Sequence, residues 1–234
     1  MIVVGVLVAL ALDGWWQTRE ERLQESVYLE AVVAELQSHI TELEASLAGN
    51  GIAHEALERA RQIRRDGQHA DSARAFISSL VEALTYLVVP TVSTAVYDDL
   101  VSTGNIRLIR DDVARSAILE TYSSIETNLE RLSIAEEAIR PGLNVLVSRY
   151  LPPNTVSRGT AVFDVRVSEE SADAPALRAA AEKIAADAAF EQELNAEYRR
   201  LERARQQIAR HVQITQEYLQ RIQSEVARVQ SGST

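Results

Sequence analysis

Apolar residues recur along this chain in alternating steps of four and three, the spacing that places them on one face of an α-helix. Three long stretches show this pattern, at about residues 29–47, 118–139 and 194–229. The first stripe consists of Leu29, Val33, Leu36, Ile40, Leu43 and Leu47. Each stripe predicts a long helix packed on other helices, and the first helix is predicted to end at Gly49-Asn50-Gly51.

Turn and capping residues predict the shorter elements. Helices are expected at about residues 52–65, at residues 72–90 with Pro90 as the stop, and from Thr94 to Ser102. Gly104 occupies the C-cap position, where a left-handed conformation is cheapest for glycine. Asp111-Asp112 supplies the N-cap of the next long helix.

Prolines mark the breaks in the second half of the chain. Pro141 predicts a kink or restart, and residues 152–175 form a largely non-helical connector in which Phe163, Val165 and Val167 alternate with polar residues like a strand. A final helix from Phe190 to Val229 keeps heptad spacing. The predicted fold is all-α, an antiparallel bundle of four to five long helices over residues 17–230. The alternative, a parallel coiled coil of two chains, leaves the shorter hairpins unexplained.

The chain opens with an apolar run, MIVVGVLVALALDGWW, which is followed by a charged helix. The stretch from Ile2 to Leu12 is about 16 Å long as a helix, against the roughly 30 Å of a bilayer core. Trp15 and Trp16 resemble an interfacial belt. No basic residue precedes the run, which argues against a secretory signal. Residues 1–16 are therefore predicted to be an incomplete membrane anchor, made by Ile2, Val3, Val4, Val6, Leu7, Val8, Leu10, Leu12, Trp15 and Trp16.

Two motifs resemble a bacterial family of single-pass, membrane-anchored helical proteins of unknown function. One is the run from Val4 to Leu12 followed by Trp15-Trp16, which is similar to that family's GVLIAL-like anchor ending in Trp. The other is YDDLVSTGNIRLI at residues 97–109, which is similar to its central Tyr-x-x-Leu-x-x-x-Gly-Asn segment. The resemblance implies location in the bacterial inner membrane, with the helical bundle on the periplasmic side.

Composition narrows the possible chemistry. The chain contains no cysteine, which excludes disulfides, thiolate metal sites and cysteine nucleophiles. A formal net charge of -10 argues against nucleic acid as a partner. We find no Glu-x-x-His or His-Glu-x-x-His ligand motif around His39, His54, His69 and His211, and no glycine-rich phosphate loop. We therefore predict no metal site, no cofactor and no enzyme activity, with the four histidines beside the core or in solvent.

The central segment is the most specific interior feature of the sequence. It can be a capped turn in which Asp98 or Asp99 pairs with Arg107 or Arg110. Alternatively it is a contact site for a protein partner or a small ligand, made by Tyr97, Asp98, Asn105, Arg107 and Arg110.

The function predicted from the sequence is a membrane-tethered helical interaction, sensing or scaffold module. Its expected partners are the membrane, through the N-terminal segment, and a protein or a second copy of the chain. The first alternative is a soluble helical adaptor or homodimer whose N-terminal run is buried. The second alternative is an enzyme with an unrecognised site.

Overall fold

The computed structural model describes residues 2–85, 90–139, 142–151, 155–158, 165–167 and 174–231, without the side chains of residues 2–9, 11, 85, 132–139, 156–158, 165–166, 174 and 229–231. Across these residues there are seven α-helices, one 3₁₀ helix and one two-stranded ribbon, so the protein is predominantly helical. The helices are α1 (Ile2–Arg65), α2 (Ala73–Thr85), α3 (Ala95–Ser102), α4 (Asp112–Ile139), α5 (Gly142–Tyr150), α6 (Ala174–Ala186) and α7 (Phe190–Ser231). The 3₁₀ helix is Asn105–Leu108, and the strands are β1 (Val156–Arg158) and β2 (Val165–Val167).

The chain divides into two compact units. Unit 1 comprises Met1–Glu42, Thr91–Asn128 and His211–Thr234, and unit 2 comprises Leu43–Pro90 and Leu129–Arg210. Residues of α1, α4 and α7 contribute to both units.

Unit 1 has a core that follows the predicted stripes in part, because Leu29 and Leu36 are buried as predicted, whereas Val33 is half-buried and the neighbouring Val32 is buried instead. Leu29, Val32 and Leu36 of α1 are buried, as are Ile118, Tyr122 and Ile125 of α4. Asp111 caps α4, because its carboxylate accepts the backbone N–H groups of Val113 and Ala114 at 2.9 Å each. Gly104 has φ 74, the left-handed conformation predicted for the end of α3. The sequence predictions for α3 and for the start of α4 are confirmed.

Unit 2 buries a separate apolar cluster made by α1, α2, α5, α6 and α7. Phe76 and Phe190 meet edge to face at its centre, with 5.8 Å between ring centroids. The strands β1 and β2 pair antiparallel, with Val156 opposite Val167. The extended conformation predicted at Val165 and Val167 is confirmed, whereas Phe163 and the predicted break at Pro141 lie outside the described residues.

One helix boundary predicted from the sequence is wrong. Helix α1 continues through Gly49-Asn50-Gly51 without a break. Asn50 is 1% exposed there, and its side-chain amide lies 3.5 Å from the Ser46 hydroxyl one turn earlier. Tertiary burial on this face outweighs the intrinsic cost of glycine in a helix, which is about 1 kcal/mol per residue.

The predicted location as a single-pass membrane protein is also wrong. In the part of the chain that the structure describes, no helix carries an apolar stretch long enough to cross a bilayer. The apolar run does not continue past Leu12, because the charged residue Asp13 follows it in the same helix. This corrects the transmembrane assignment of Ile2, Val3, Val4, Val6, Leu7, Val8, Leu10, Leu12, Trp15 and Trp16, and with it the inner-membrane and periplasmic location. Of these residues, Leu10, Leu12, Trp15 and Trp16 have described side chains, and all four are exposed.

Candidate functional site

The central segment of the sequence lies against α1 in unit 1. The phenol oxygen of Tyr28 connects the two, because it donates a hydrogen bond to Asp99 at 3.2 Å and accepts one from the Asn105 amide at 2.7 Å. Further along, the backbone N–H of Arg110 donates to the carboxylate of Glu25 at 2.7 Å, and Glu25 is 3% exposed. These contacts hold the turn between α3 and α4 onto the first helix.

Two further α1 side chains hold the start of α3. The Glu35 carboxylate accepts the backbone N–H of Val96 at 3.0 Å, which satisfies one of the unpaired donors at that helix N-terminus. His39 bonds through Nε2 to the carbonyl of Ser93. Because a carbonyl only accepts, His39 carries its proton on Nε2 in this arrangement.

An aromatic pair completes the contact between the segment and the core. Tyr97 stacks on Tyr122, with 4.4 Å between ring centroids and planes 8° apart. The Tyr122 hydroxyl donates to the second oxygen of Glu35. Burial, followed by the neighbouring Glu35 carboxylate, holds the pKa of Tyr122 well above its usual range, so its phenol stays protonated. Glu35 therefore joins α1, α3 and α4 through one carboxylate.

The structure gives four of the five sequence-predicted contact residues, Tyr97, Asp98, Asn105 and Arg110, side-chain partners within the chain. Asp98 accepts a hydrogen bond from Thr94 at 2.9 Å, while the Arg110 guanidinium pairs with Glu21 at 2.5 Å. The predicted pairing of Asp98 or Asp99 with an arginine of the same turn does not occur among the described residues. Arg107 is exposed on the 3₁₀ helix. The role of the five residues Tyr97, Asp98, Asn105, Arg107 and Arg110 in partner or ligand contact stays a prediction.

Two histidines are buried in unit 1, contrary to the expectation that all four lie beside the core or in solvent. His39 is 2% exposed and His211 is 3% exposed. Within the described part of the chain, neither ring nitrogen of His211 has a hydrogen-bond partner. Burial, with a further contribution from nearby His39, lowers the pKa of His211.

The outer stripe of α1 is the second feature of unit 1, and we define it as Leu12, Trp16, Leu23 and Val27. These four side chains are between 61% and 65% exposed. At about 100° per residue they lie within about 60° of one another around the helix. The buried residues Leu29, Val32 and Leu36 lie roughly 160° away from the outer stripe. Helix α1 thus carries apolar residues on two faces: Leu29, Val32 and Leu36 are buried in unit 1, whereas the outer stripe, which begins in the exposed residues 12–17, is not covered.

An open groove continues the outer stripe toward the C-terminus of α1. Its volume is about 250 Å³. That is below the ~300–1,000 Å³ typical of small-molecule pockets, so the groove favours a protein contact over a small ligand. The lining residues are Glu30, Val33, Ala34 and Gln37 of α1 and Gln223, Val226 and Ala227 of α7.

Unit 2 contains a carboxyl group suited to proton exchange near neutrality. Glu197 of α7 is 5% exposed, and burial raises its pKa to about 7. Arg200, 3.6 Å away, opposes this rise, and Glu193 adds to it. A group of this kind can act as a general acid or base where a substrate reaches it. Both charged groups that influence its pKa, Arg200 and Glu193, belong to the same helix.

Metal binding has no support in the described residues, where no three His, Asp or Glu side chains gather closely enough to hold an ion. A metal site requires three or four convergent ligands. His39 and His211 are near neighbours in unit 1, and they form only a pair.

Sequence reasoning missed both the Glu35–Tyr122 contact and the outer stripe. The spacing of the outer stripe was readable, because Leu12 and Leu23, like Trp16 and Val27, stand eleven residues apart. An eleven-residue period keeps residues on one side of a nearly straight helix. The Glu35 contact carries no such signal, because its partners are far away in sequence.

No protein-family model, curated protein or solved structure matches this chain. The resemblance to a membrane-anchored bacterial family therefore stays a prediction.

Proposed function

We propose that this protein is a helical interaction module without catalytic activity, which self-associates through the outer stripe of α1. The observation that carries the proposal is the exposure of Leu12, Trp16, Leu23 and Val27 on the helix face opposite the core. Contiguous apolar patches of this kind mark protein interaction sites on soluble domains.

The energy available from covering the outer stripe is consistent with reversible association. Burying a Leu or Val side chain completely contributes about 1.5–3 kcal/mol, and a Trp side chain contributes at least as much, so covering the exposed parts of the four outer-stripe residues contributes about 5 kcal/mol for each copy. Two copies together gain about 10 kcal/mol, against an association cost of about 4–15 kcal/mol. The balance favours a dimer that forms and dissociates with concentration.

The contacts inside unit 1 support a structural rather than a catalytic role for its ionisable groups. The Glu35 carboxylate accepts hydrogen bonds from the backbone N–H of Val96 and the Tyr122 hydroxyl, and the Glu25 carboxylate accepts one from the backbone N–H of Arg110. A general acid or base has to reach a proton on a substrate. These carboxylates instead satisfy backbone and side-chain donors of the chain itself.

We further propose that the helices form an antiparallel bundle, which presents α1 as a rigid surface. Support comes from two ion pairs with α7: Asp111, the N-cap of α4, pairs with Arg228, and Glu120 of α4 pairs with Arg221 at 3.5 Å. The order of the partners is reversed along the two helices, as it is between antiparallel neighbours.

Tryptophan fluorescence and molecular mass test the proposed self-association together. Trp15 and Trp16 are the two tryptophans of the chain, so their emission reports directly on the covering of the outer stripe. We expect the mass from light scattering to rise with concentration, while acrylamide quenching of the tryptophans falls. The paired substitution Leu23→Gln and Val27→Gln keeps both tryptophans and should give a monomer with unchanged helical circular dichroism.

The matched control carries Val113→Gln and Leu119→Gln on α4, where both residues are also exposed. This variant should associate like the wild type. A wild-type chain that stays monomeric with freely quenched tryptophans would contradict the proposal. Equal association of the Leu23, Val27 variant and the wild type would also contradict it.

A further inference from the structure

The outer stripe carries one charge of each sign on its two flanks. Arg19 and Glu20 lie at the middle of the stripe, about 50° to either side of its centre line. Both side chains are exposed. Arg19 lies over the Trp15 ring, with its guanidinium carbon 5.6 Å from the ring centroid, and the neighbouring Glu21 is already paired with Arg110.

We propose that the partner of the outer stripe is a second copy of this chain, with its α1 running parallel to the first. This inference rests on the self-association proposed above and adds its geometry. In a parallel pair, the two-fold axis runs along the helices, so the left flank of one helix meets the right flank of the other. Arg19 of each copy then faces Glu20 of the other copy, and the two positions differ by only about 1.5 Å along the helix axis.

The antiparallel alternative has the opposite electrostatics. In the antiparallel register that superposes the outer stripe on itself, Leu12 is level with Val27 of the second copy and Trp16 with Leu23. The two-fold axis is then perpendicular to the helices, so equivalent flanks meet. Arg19 would face Arg19 of the second copy, and Glu20 would face Glu20, which brings like charges together. Charge complementarity therefore selects the parallel pair.

The sequence before the outer stripe fits the same geometry, whereas the sequence after it limits the length of the pair. Before it, Ile2 to Leu12 is apolar or glycine at every position, and a parallel pair places these two runs side by side. After it, the next position on the same face is Glu30, which would meet its own equivalent. Like charges at this point end the paired region one turn beyond Val27.

Cysteine cross-linking tests the orientation, since the chain contains no cysteine of its own. In a parallel pair, Leu23→Cys places two thiols opposite each other, so mild oxidation should give covalent homodimers. Leu119→Cys, exposed on α4, is the matched control and should not cross-link. Mixing copies that carry Trp16→Cys with copies that carry Leu23→Cys should give homodimers of each and few mixed products.

The charge contact is tested separately. Arg19→Glu should weaken the dimer about tenfold, because two attractive pairs become repulsive. Adding Glu20→Arg to the same chain restores opposite charges across the interface. The dissociation constant of the dimer should then return to the wild-type value.

The outcomes separate the orientation from the self-association. Mixed Trp16–Leu23 cross-links in place of homodimers would overturn the parallel pairing and leave self-association standing. If the double charge variant folds but does not regain the dimer affinity of the wild type, the Arg19–Glu20 contact is overturned. A wild type that stays monomeric, together with cysteine variants that form no cross-links at any outer-stripe position, would overturn both proposals.

Discussion

Glu197 should destabilise the protein at neutral and alkaline pH, and replacing it with glutamine should remove that penalty. The carboxyl is 5% exposed on α7, and burial raises its pKa to about 7 in the folded state from its ordinary value of 4.5. Gln has nearly the same shape and carries no charge. The substitution Glu197→Gln therefore changes the ionisation with little change in packing.

The sign of the effect follows from proton linkage. Below pH 4.5 the carboxyl is protonated in both the folded and the unfolded chain, and it costs nothing. As the pH rises from 4.5 to about 7, the unfolded chain releases its proton first, so the free energy of unfolding decreases. Above about pH 7 the loss is complete, and it amounts to about 3 kcal/mol for a shift of this size.

Urea denaturation across this pH range measures the effect. We expect Glu197→Gln to match the wild type near pH 4.5 and to be more stable by about 2–3 kcal/mol near pH 8, with an unchanged dependence on urea concentration. The control Glu217→Gln, on an exposed position of the same helix, should show no such divergence. A Glu197→Gln variant that is less stable than the wild type near pH 8, or whose difference does not vary with pH, would refute the reasoning.

Three further predictions concern unit 1, each measured by urea denaturation. Tyr122→Phe should lower the free energy of unfolding by about 1–3 kcal/mol, because it removes a hydrogen-bond donor from the buried Glu35. Tyr97→Phe keeps the ring stack and should lower it little. Equal losses in the two variants would contradict this prediction. Burial lowers the pKa of His211, so the unfolded chain takes up the proton first and the free energy of unfolding falls as the pH drops below 6.5. His211→Leu should make the free energy of unfolding depend less on pH in this range. An unchanged dependence on pH would count against the prediction. Asp111→Ala should cost about 1 kcal/mol by removing the N-cap of α4, and Asp111→Asn should restore most of it; a neutral Asp111→Ala would show that the cap is unimportant.

The sequence by itself determined the features that depend on neighbouring residues. Gly104 is in the left-handed conformation that ends α3, Asp111 caps α4, and α7 begins at Phe190 as its spacing predicts. These are local effects, because a cap or a helical period involves residues within one or two turns. The all-helical character of the protein follows from the same local rules.

Tertiary structure decided what lies buried and which polar groups meet. It kept α1 helical through Gly49-Asn50-Gly51, buried His39 and His211, and brought Glu35 to Tyr122 across 87 residues of sequence. The candidate interaction surface depends on it as well. The sequence shows apolar residues on two sides of α1, but only the packing of unit 1 determines which side is covered and leaves the outer stripe exposed, because burial depends on residues that are distant in the chain.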